Sequence, residues 1–448
     1  MKRIMISAMQ SGGGKTTLTC ALLALLKKRG TAAEAFKCGP DYIDPMFHSR
    51  VLGVPSRNLD LFLQGETGVL KTLGGARGEI AVIEGAMGLY DGIGGTDTAS
   101  AYALAALTKT PVILAVMPRG SSLTLAAQIK GVAQFRRDSH VAGIVLTNCR
   151  TMLYEHLKPL IERETGLKVY GCLPTMPELE IPSRHLGLLT AGEIEDLTAR
   201  FDAAAEALSR FVDVEALLAL ASTSEILPAP ETKPTAVRAK IALAHDEAFC
   251  FYYEDSLDAL RAAGAELVEF SPLRDERLPE CDGLYLGGGY PELYAKRLSE
   301  NASMRQSVAA AVRAGMPTVA ECGGFLYLGA ALESDSGAAY PMAGVLPGVG
   351  QKTERLQNFG YTELKAGRDS LLFRAGERVH AHEFHYWKST ENGNDLTAVK
   401  PVSGRERHCG YVNESLYAAF PHLHFGGEAP LAARFVAAAE RHKNGKTR

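Results

Sequence analysis

A chain of 448 residues is too long for one hydrophobic core and suits two domains of about 200 residues each. With 46% hydrophobic and 22% charged residues and a formal net charge of -3, it has no broad basic field, which argues against nucleic-acid and membrane-surface binding. Eight scattered cysteines without metal-type pairs, and no apolar run long enough for a bilayer or a cleavable leader, point to reduced thiols in a cytoplasmic protein.

Over residues 1–220 the strand-like runs RIMISA, EIAVIEG, PVILAV and VAGIVLTN alternate with helical stretches such as LTLAAQIKGVAQF. That alternation predicts an α/β domain with a mostly parallel sheet flanked by helices. The first strand runs into Ser11-Gly12-Gly13-Gly14-Lys15-Thr16-Thr17, followed by the helical LTCALLALLKKRG. A glycine loop there can aim backbone N–H groups and the helix dipole at nucleotide phosphates, with the Lys15 ammonium on phosphate and the Thr16 hydroxyl on Mg²⁺. Met9 stands where the common form of this loop has its first glycine, so the match is to a variant.

Two further loops at strand ends carry carboxylates. Gly39-Pro40-Asp41-Tyr42-Ile43-Asp44-Pro45 follows AEAFK, and Glu84 to Gly92, read EGAMGLYDG, follows EIAVI. Glu84 ends its strand as a metal-side carboxylate should, with Asp41, Asp44 and Asp91 on the loops beyond; each aspartate alone is equally the usual cap of a turn or helix. Residues 221–240, rich in Pro, Ser, Thr and charge, read as a linker.

Residues 241–448 resume the α/β pattern with IALAHDE, AELVEF, GLYLGGGY and PTVAEC. Ala320-Glu321-Cys322-Gly323-Gly324 is a sharp strand-to-helix turn carrying a thiol, and a helix N-terminus favours thiolate. The upstream glycine loop with Gly288 and Gly289 can join Gly323 in donating N–H groups to an oxyanion, and His422 and His424 in PHLHF offer imidazoles for proton transfer. The other seven cysteines lack this setting and read as structural.

These motifs, in this order, resemble the cobyrinate a,c-diamide synthase family, in which a dethiobiotin synthetase-like ATP domain is fused to a class I glutamine amidotransferase domain. The resemblance covers nearly the whole chain. It rests on SGGGKTT, KCGPDYIDPMFH at 37–48, IEGAMGLYDG at 83–92, RHLGL at 184–188, FSPLRDERLP at 270–279, LYLGGGYPEL at 284–293, AECGGFLYL at 320–328, and HEFHY at 382–386 ahead of HLHF. It implies that Gly12, Gly13, Gly14, Lys15, Thr16 and Thr17 bind ATP, with Asn148 on the adenine side. Thr16, Asp41 and Glu84 would hold Mg²⁺, and Tyr42, Asp44 and Asp91 would face the acid substrate. Cys322 would be the nucleophile and His422 its partner. His424 stands where many class I amidotransferases keep a glutamate, leaving the third member of a triad open.

The implied reaction is ATP- and glutamine-dependent amidation of a tetrapyrrole polycarboxylic acid, cobyrinate first, with hydrogenobyrinate and nickel sirohydrochlorin as alternatives; a homodimer is compatible. A switch ATPase with an inert second half would explain SGGGKTT but leave ECGG, GGGYPE and HLHF without purpose. Three positions depart from the family pattern: Ala381 replaces a glycine, Phe420 a tyrosine, and Met117-Pro118 falls where an aspartate is usual.

Overall fold

The computed structural model describes residues 1–176, 191–230 and 235–446, so the RHLGL motif at 184–188 lies outside the described residues. The chain divides into two compact units, Met1–Pro230 and Glu231–Arg448, with the division inside the stretch read as a linker. Among the described residues no helix is long and apolar enough to cross a membrane.

Among the described residues seven strands form the first unit's sheet: β1 (Lys2–Ala8), β2 (Ala33–Cys38), β3 (Ser56–Leu59), β4 (Ile80–Glu84), β5 (Val112–Val116), β6 (Val141–Leu146) and β7 (Val169–Cys172). They pair in the order β3-β2-β4-β1-β5-β6-β7, every pair parallel. Its helices are α1 (Lys15–Lys28), α2 (Ile43–Arg50), α3 (Leu61–Gly74), α4 (Ala101–Thr108), α5 (Leu123–Gln134), α6 (Thr151–Thr165), α7 (Ala191–Phe211) and α8 (Val214–Ala221). The central strands IAVIE and VILAV are buried at every position, because helices cover both faces of a parallel sheet.

Alternate strand residues feed two cores. Ile4, Ile6, Val82 and Ile113 join α1, α7 and α8 on one face, while Met5, Ile83 and Leu114 join α4, α5 and α6 on the other. Leu18, Leu22, Leu25 and Leu26 of α1 are buried, each worth about 1.5–3 kcal/mol over exposure. The stretch after α8 belongs to this unit as well, since the Arg3 backbone N–H donates to Ser224 Oγ at 3.1 Å.

The second unit has two sheets. The first comprises β8 (Ala239–Ala244), β9 (Ala265–Phe270), β10 (Gly283–Leu286), β11 (Thr318–Glu321), β18 (Tyr411–Val412) and β19 (Leu416–Ala419). Its order is β18-β19-β11-β10-β8-β9, parallel except for the β18–β19 pair. The second is mostly antiparallel and contains β12 (Ala331–Glu333), β13 (Ala339–Pro341), β14 (Val349–Ala366), β15 (Arg378–Ser389), β16 (Leu396–Val399), β17 (Glu406–Cys409) and β20 (His422–Leu423).

Tyr285, Val319 and Tyr417 from the first sheet share one core with Leu364, Val379 and Leu423 from the second and with α13 (Leu431–Lys446). The remaining helices are α9 (Glu254–Ala262), α10 (Ala295–Glu300), α11 (Ala302–Arg313) and α12 (Gly323–Leu328); α10, α11 and α12 bury their apolar faces in a second core with Leu284, Leu286 and Ala320. The chain leaves the first sheet at Ala419 and enters the second at His422, so Phe420-Pro421 carries it between them.

Candidate functional site

In the first unit the loops after β1, β2, β4 and β6 rise at the carboxyl edge of one parallel sheet, the side on which such sheets bind ligands. Gly14 caps α1 at φ 86°, and a Cβ there would lie 2.7 Å from Thr147 Oγ1, so only glycine lets the loop close against β6. The Thr147 hydroxyl in turn donates to the Gly13 carbonyl at 2.8 Å. Lys15 Nζ folds over the loop, donating to Gln10 O at 3.3 Å and also to Met87 O. Burial and then the neighbouring Lys37 charge lower its pKa, conditions that a bound polyanion would reverse.

Glu84 is fully buried at the end of β4 and collects three side chains. Its Oε1 accepts from Thr16 Oγ1 at 2.6 Å and from Lys37 Nζ at 3.0 Å, and its Oε2 lies 3.4 Å from His48 Nε2. Burial is the largest single influence and opposes the Glu84 charge, but Lys37, His48 and Thr16 together outweigh it and hold the carboxyl below the usual carboxylate range. Lys37 also meets Asp44 Oδ2 at 2.5 Å. Burial and the Glu84 charge nevertheless raise the Asp44 pKa, because one ammonium is shared by two carboxylates.

Asp41, ahead of the α2 cap residue Tyr42, accepts from the Ile43 N–H through its Oδ1 at 2.9 Å, and its own carbonyl accepts from Asn58 Nδ2 at 2.7 Å. Exposed Asp91 braces its loop by accepting from the Gly88 N–H at 2.8 Å. Exposed Asn148 stands just past β6 at φ 48°.

The donor set fits a hard divalent cation. Lys15 and Lys37 face four carboxyl groups, Asp41, Asp44, Glu84 and Asp91, where a polyphosphate must enter, and fully buried Glu84 Oε2 has only the His48 ring, 3.4 Å away, beside it. Among the described residues no three His, Cys, Asp or Glu side chains form a ready cage, so such a cation would complete its shell with phosphate oxygens and water.

In the second unit, β11 ends at Glu321 and α12 begins at Gly323, leaving Cys322 on the turn at φ 48°, ψ -98°. This is strained geometry for a residue with a Cβ, pinned by the Cys322 N–H donating to Ala419 O at 2.9 Å. The glycine loop after β10 packs on the turn: Gly324 N–H donates to Gly287 O at 2.9 Å, and a Cβ on Gly323 would sit 3.3 Å from the Gly289 nitrogen. The His422 ring lies on the same loop, its Cε1 only 2.6 Å from where a Gly288 Cβ would be. Thiol turn, glycine loop and imidazole therefore meet at one spot.

Contrary to the expectation from the helix N-terminus, the thiol is not acidified. Burial, then the Glu292 and Glu383 charges, push its pKa up, and the Gly323 N–H on the sulfur offsets only part of this; α12 has just six residues. Burial lowers His422 to about 3, so in the free protein the pair rests as neutral thiol and neutral imidazole.

The comparisons with known proteins agree with this division. Residues 4–189 match the CobQ/CobB/MinD/ParA nucleotide binding domain, and residues 240–430 the CobB/CobQ-like glutamine amidotransferase domain. The chain is 39% identical to the cobyrinate a,c-diamide synthase of Listeria innocua, over 98% of this chain and all of that one. It is 40% identical to that of Caldanaerobacter subterraneus subsp. tengcongensis, over 94% of each, and 39% to that of Thermoplasma volcanium, over 97% and 96%. The chain belongs to the cobyrinate a,c-diamide synthase family. It is accordingly a carbon–nitrogen ligase with a nucleotide-binding and a glutamine amidotransferase domain.

Within this family member the structure brings Thr16 to Glu84 but turns Asp41 to the start of α2, and it pairs half-buried Asp44 with Lys37. Sequence reasoning gave no role to Lys37, His48 or Glu321. The signal for Lys37 and Glu321 was a charged residue at the end of a strand, and His48 sits inside α2, where nothing in the sequence set it apart. Of the family departures, Ala381 is fully buried in the inter-sheet core, and the Phe420 ring stacks on His385 at 3.9 Å and 7°.

Proposed function

We propose that the chain amidates the a and c acetate carboxylates of cobyrinate in cobalamin biosynthesis, spending ATP in the first unit and glutamine in the second. The observation that carries this reading is their coexistence: a phosphate loop whose Thr16 meets the strand-end Glu84, and a Cys322 turn sharing one glycine wall with His422. A carboxylate resists ammonia because it would have to expel oxide. Moving the γ-phosphoryl group onto one carboxylate oxygen makes an acyl phosphate, whose phosphate leaves readily.

Gly12, Gly13, Gly14, Thr16 and Thr17 would hold the phosphates through backbone N–H groups, Lys15 would exchange its carbonyl partners for phosphate oxygens, and Asn148 would contact adenine. Thr16, Glu84 and Asp41 would hold Mg²⁺, which when bound supplies charge neutralisation at the phosphates. Tyr42, Asp44 and Asp91, on the same edge, would orient the acid.

In the second unit the Cys322 sulfur attacks the glutamine carboxamide carbon while its proton passes to His422. The N–H groups of Gly288, Gly289 and Gly323 receive the oxyanion, and His422 returns the proton to the departing ammonia. Water then cleaves the γ-glutamyl thioester, and the ammonia displaces phosphate from the activated acid. The test is incubation with ATP, Mg²⁺, cobyrinate and either glutamine or ammonium, with product masses read for two amides. No amide from either nitrogen source would defeat the proposal.

A further inference from the structure

A histidine that moves a proton from a thiol works best when a third group fixes its tautomer and balances its charge. The position two residues after His422 is occupied by His424, and that ring is turned elsewhere. Its Nδ1 accepts from the Gly426 N–H at 3.2 Å, and it packs against Tyr253 with ring centroids 4.9 Å apart. On the other side of His422, the Cε1–Nε2 edge rests on Gly288 while Nδ1 lies 3.9 Å from Oε2 of Glu321, the residue immediately before the thiol.

Glu321 is 1% exposed on the rigid strand β11, and two neutral donors hold its carboxyl in place. Tyr285 OH donates to Oε2 at 3.0 Å, and the Leu423 N–H, next to His422, donates to Oε1 at 2.8 Å. Tyr252, Tyr285 and Tyr417 are the other titratable side chains that feel its charge, along with Cys322. Among the described residues its only ion-pair neighbour is His422. Burial lifts the carboxyl to about 8, with Leu423 and Tyr285 pulling the other way, so the carboxylate gains most when a positive charge forms beside it.

We infer that Glu321 is the positioning residue of the glutaminase site. Its carboxylate receives the Nδ1–H of His422, keeps Nε2 toward the thiol, and offsets the imidazolium formed when the Cys322 proton moves. Sulfur keeps the S–H bonding pair, the proton goes to Nε2, and the Nδ1 proton stays on the ring. The gap of 3.9 Å closes to hydrogen-bond length with a shift of roughly 1 Å. This inference rests on the reading of Cys322 and His422 as a glutaminase pair.

The test uses the full chain. Glu321→Gln keeps the shape and an acceptor for Leu423, but its amide N–H turns the wrong tautomer of His422 toward the thiol. Assayed above pH of about 8, where the Glu321 carboxyl is ionised, the kcat for glutamine hydrolysis should fall about 100-fold or more with KM for glutamine within about threefold. Glu321→Asp should recover part of the loss, and His424→Asn, which keeps an acceptor for Gly426, should stay within about threefold of wild type.

A second measurement is independent of turnover. In ¹⁵N-histidine-labelled protein above pH of about 8, the signal removed by His422→Gln should report an Nδ1–H tautomer in wild type and an Nε2–H tautomer in Glu321→Gln. Near wild-type kcat in Glu321→Gln, or an unchanged tautomer, overturns the inference. A tautomer switch in a protein that hydrolyses no glutamine leaves Glu321 in its place and removes the glutaminase reading instead.

Discussion

Gly14 combines φ 86° with a neighbour, Thr147, that leaves no room for a methyl group. Gly14→Ala should therefore cost about 1–3 kcal/mol in backbone strain and displace the loop, weakening ATP binding at least about tenfold by calorimetry. Unchanged affinity would mean that the loop does not cradle phosphate. The loop was legible in the sequence because SGGGKTT joins a backbone requirement to a chemical one at a strand–helix junction, and ECGG did the same for the thiol. Lys37 and Glu321 were not, because their partners come from strand register. Parallel pairing sets Lys37 of β2 opposite Glu84 of β4, and Glu321 of β11 opposite Ala419 of β19, three residues before His422. A single chain of letters does not state which strands lie side by side.

At the scale of elements, the parallel sheet of the first unit was readable from apolar runs with no alternation, whereas the long β14–β15 hairpin was not. Strand β14, VGQKTERLQNFGYTELKA, is largely polar and breaks register twice, so it shows neither strand period nor a continuous apolar run. The hairpin buries Glu383 completely against Arg407 of β17, with His385 Nε2 at 3.3 Å. Arg407→Ala strands that carboxylate and should destabilise the protein by about 3–5 kcal/mol, visible as a lower melting temperature; an unshifted melt would show the pair to be dispensable.

Strand β11 meets β20 through Glu321, whose carboxyl titrates near 8 in the folded protein against 4.5 in the reference state. With the folded value raised, the folded state holds the proton more tightly, so this stabilisation is complete below about 4.5 and is lost as pH rises through about 8. Each unit of difference is worth about 1.4 kcal/mol, so Glu321→Gln should gain melting temperature relative to wild type as pH climbs across that window. A constant difference across the window would count against a raised carboxyl at Glu321.

For the whole molecule, the consequence of two units with separate chemistries is that they fail differently. Cys322 makes no bond to the acid substrate in the proposed scheme, so Cys322→Ala should abolish glutamine-dependent amidation, by about 1,000-fold or more, while ammonium-dependent amidation stays within about twofold of wild type. Lys15→Ala should instead lose both nitrogen routes, because without the phosphate grip no activated acid forms for any amine to attack. Free ammonia is a small fraction of total ammonium near neutral pH, so the ammonium route in Cys322→Ala should also quicken as pH rises towards the ammonium pKa. Were a folded Cys322→Ala protein inert toward ammonium while still binding ATP, nitrogen supply and acid activation would not be separable steps, and the assignment of one chemistry to each unit would have to be abandoned.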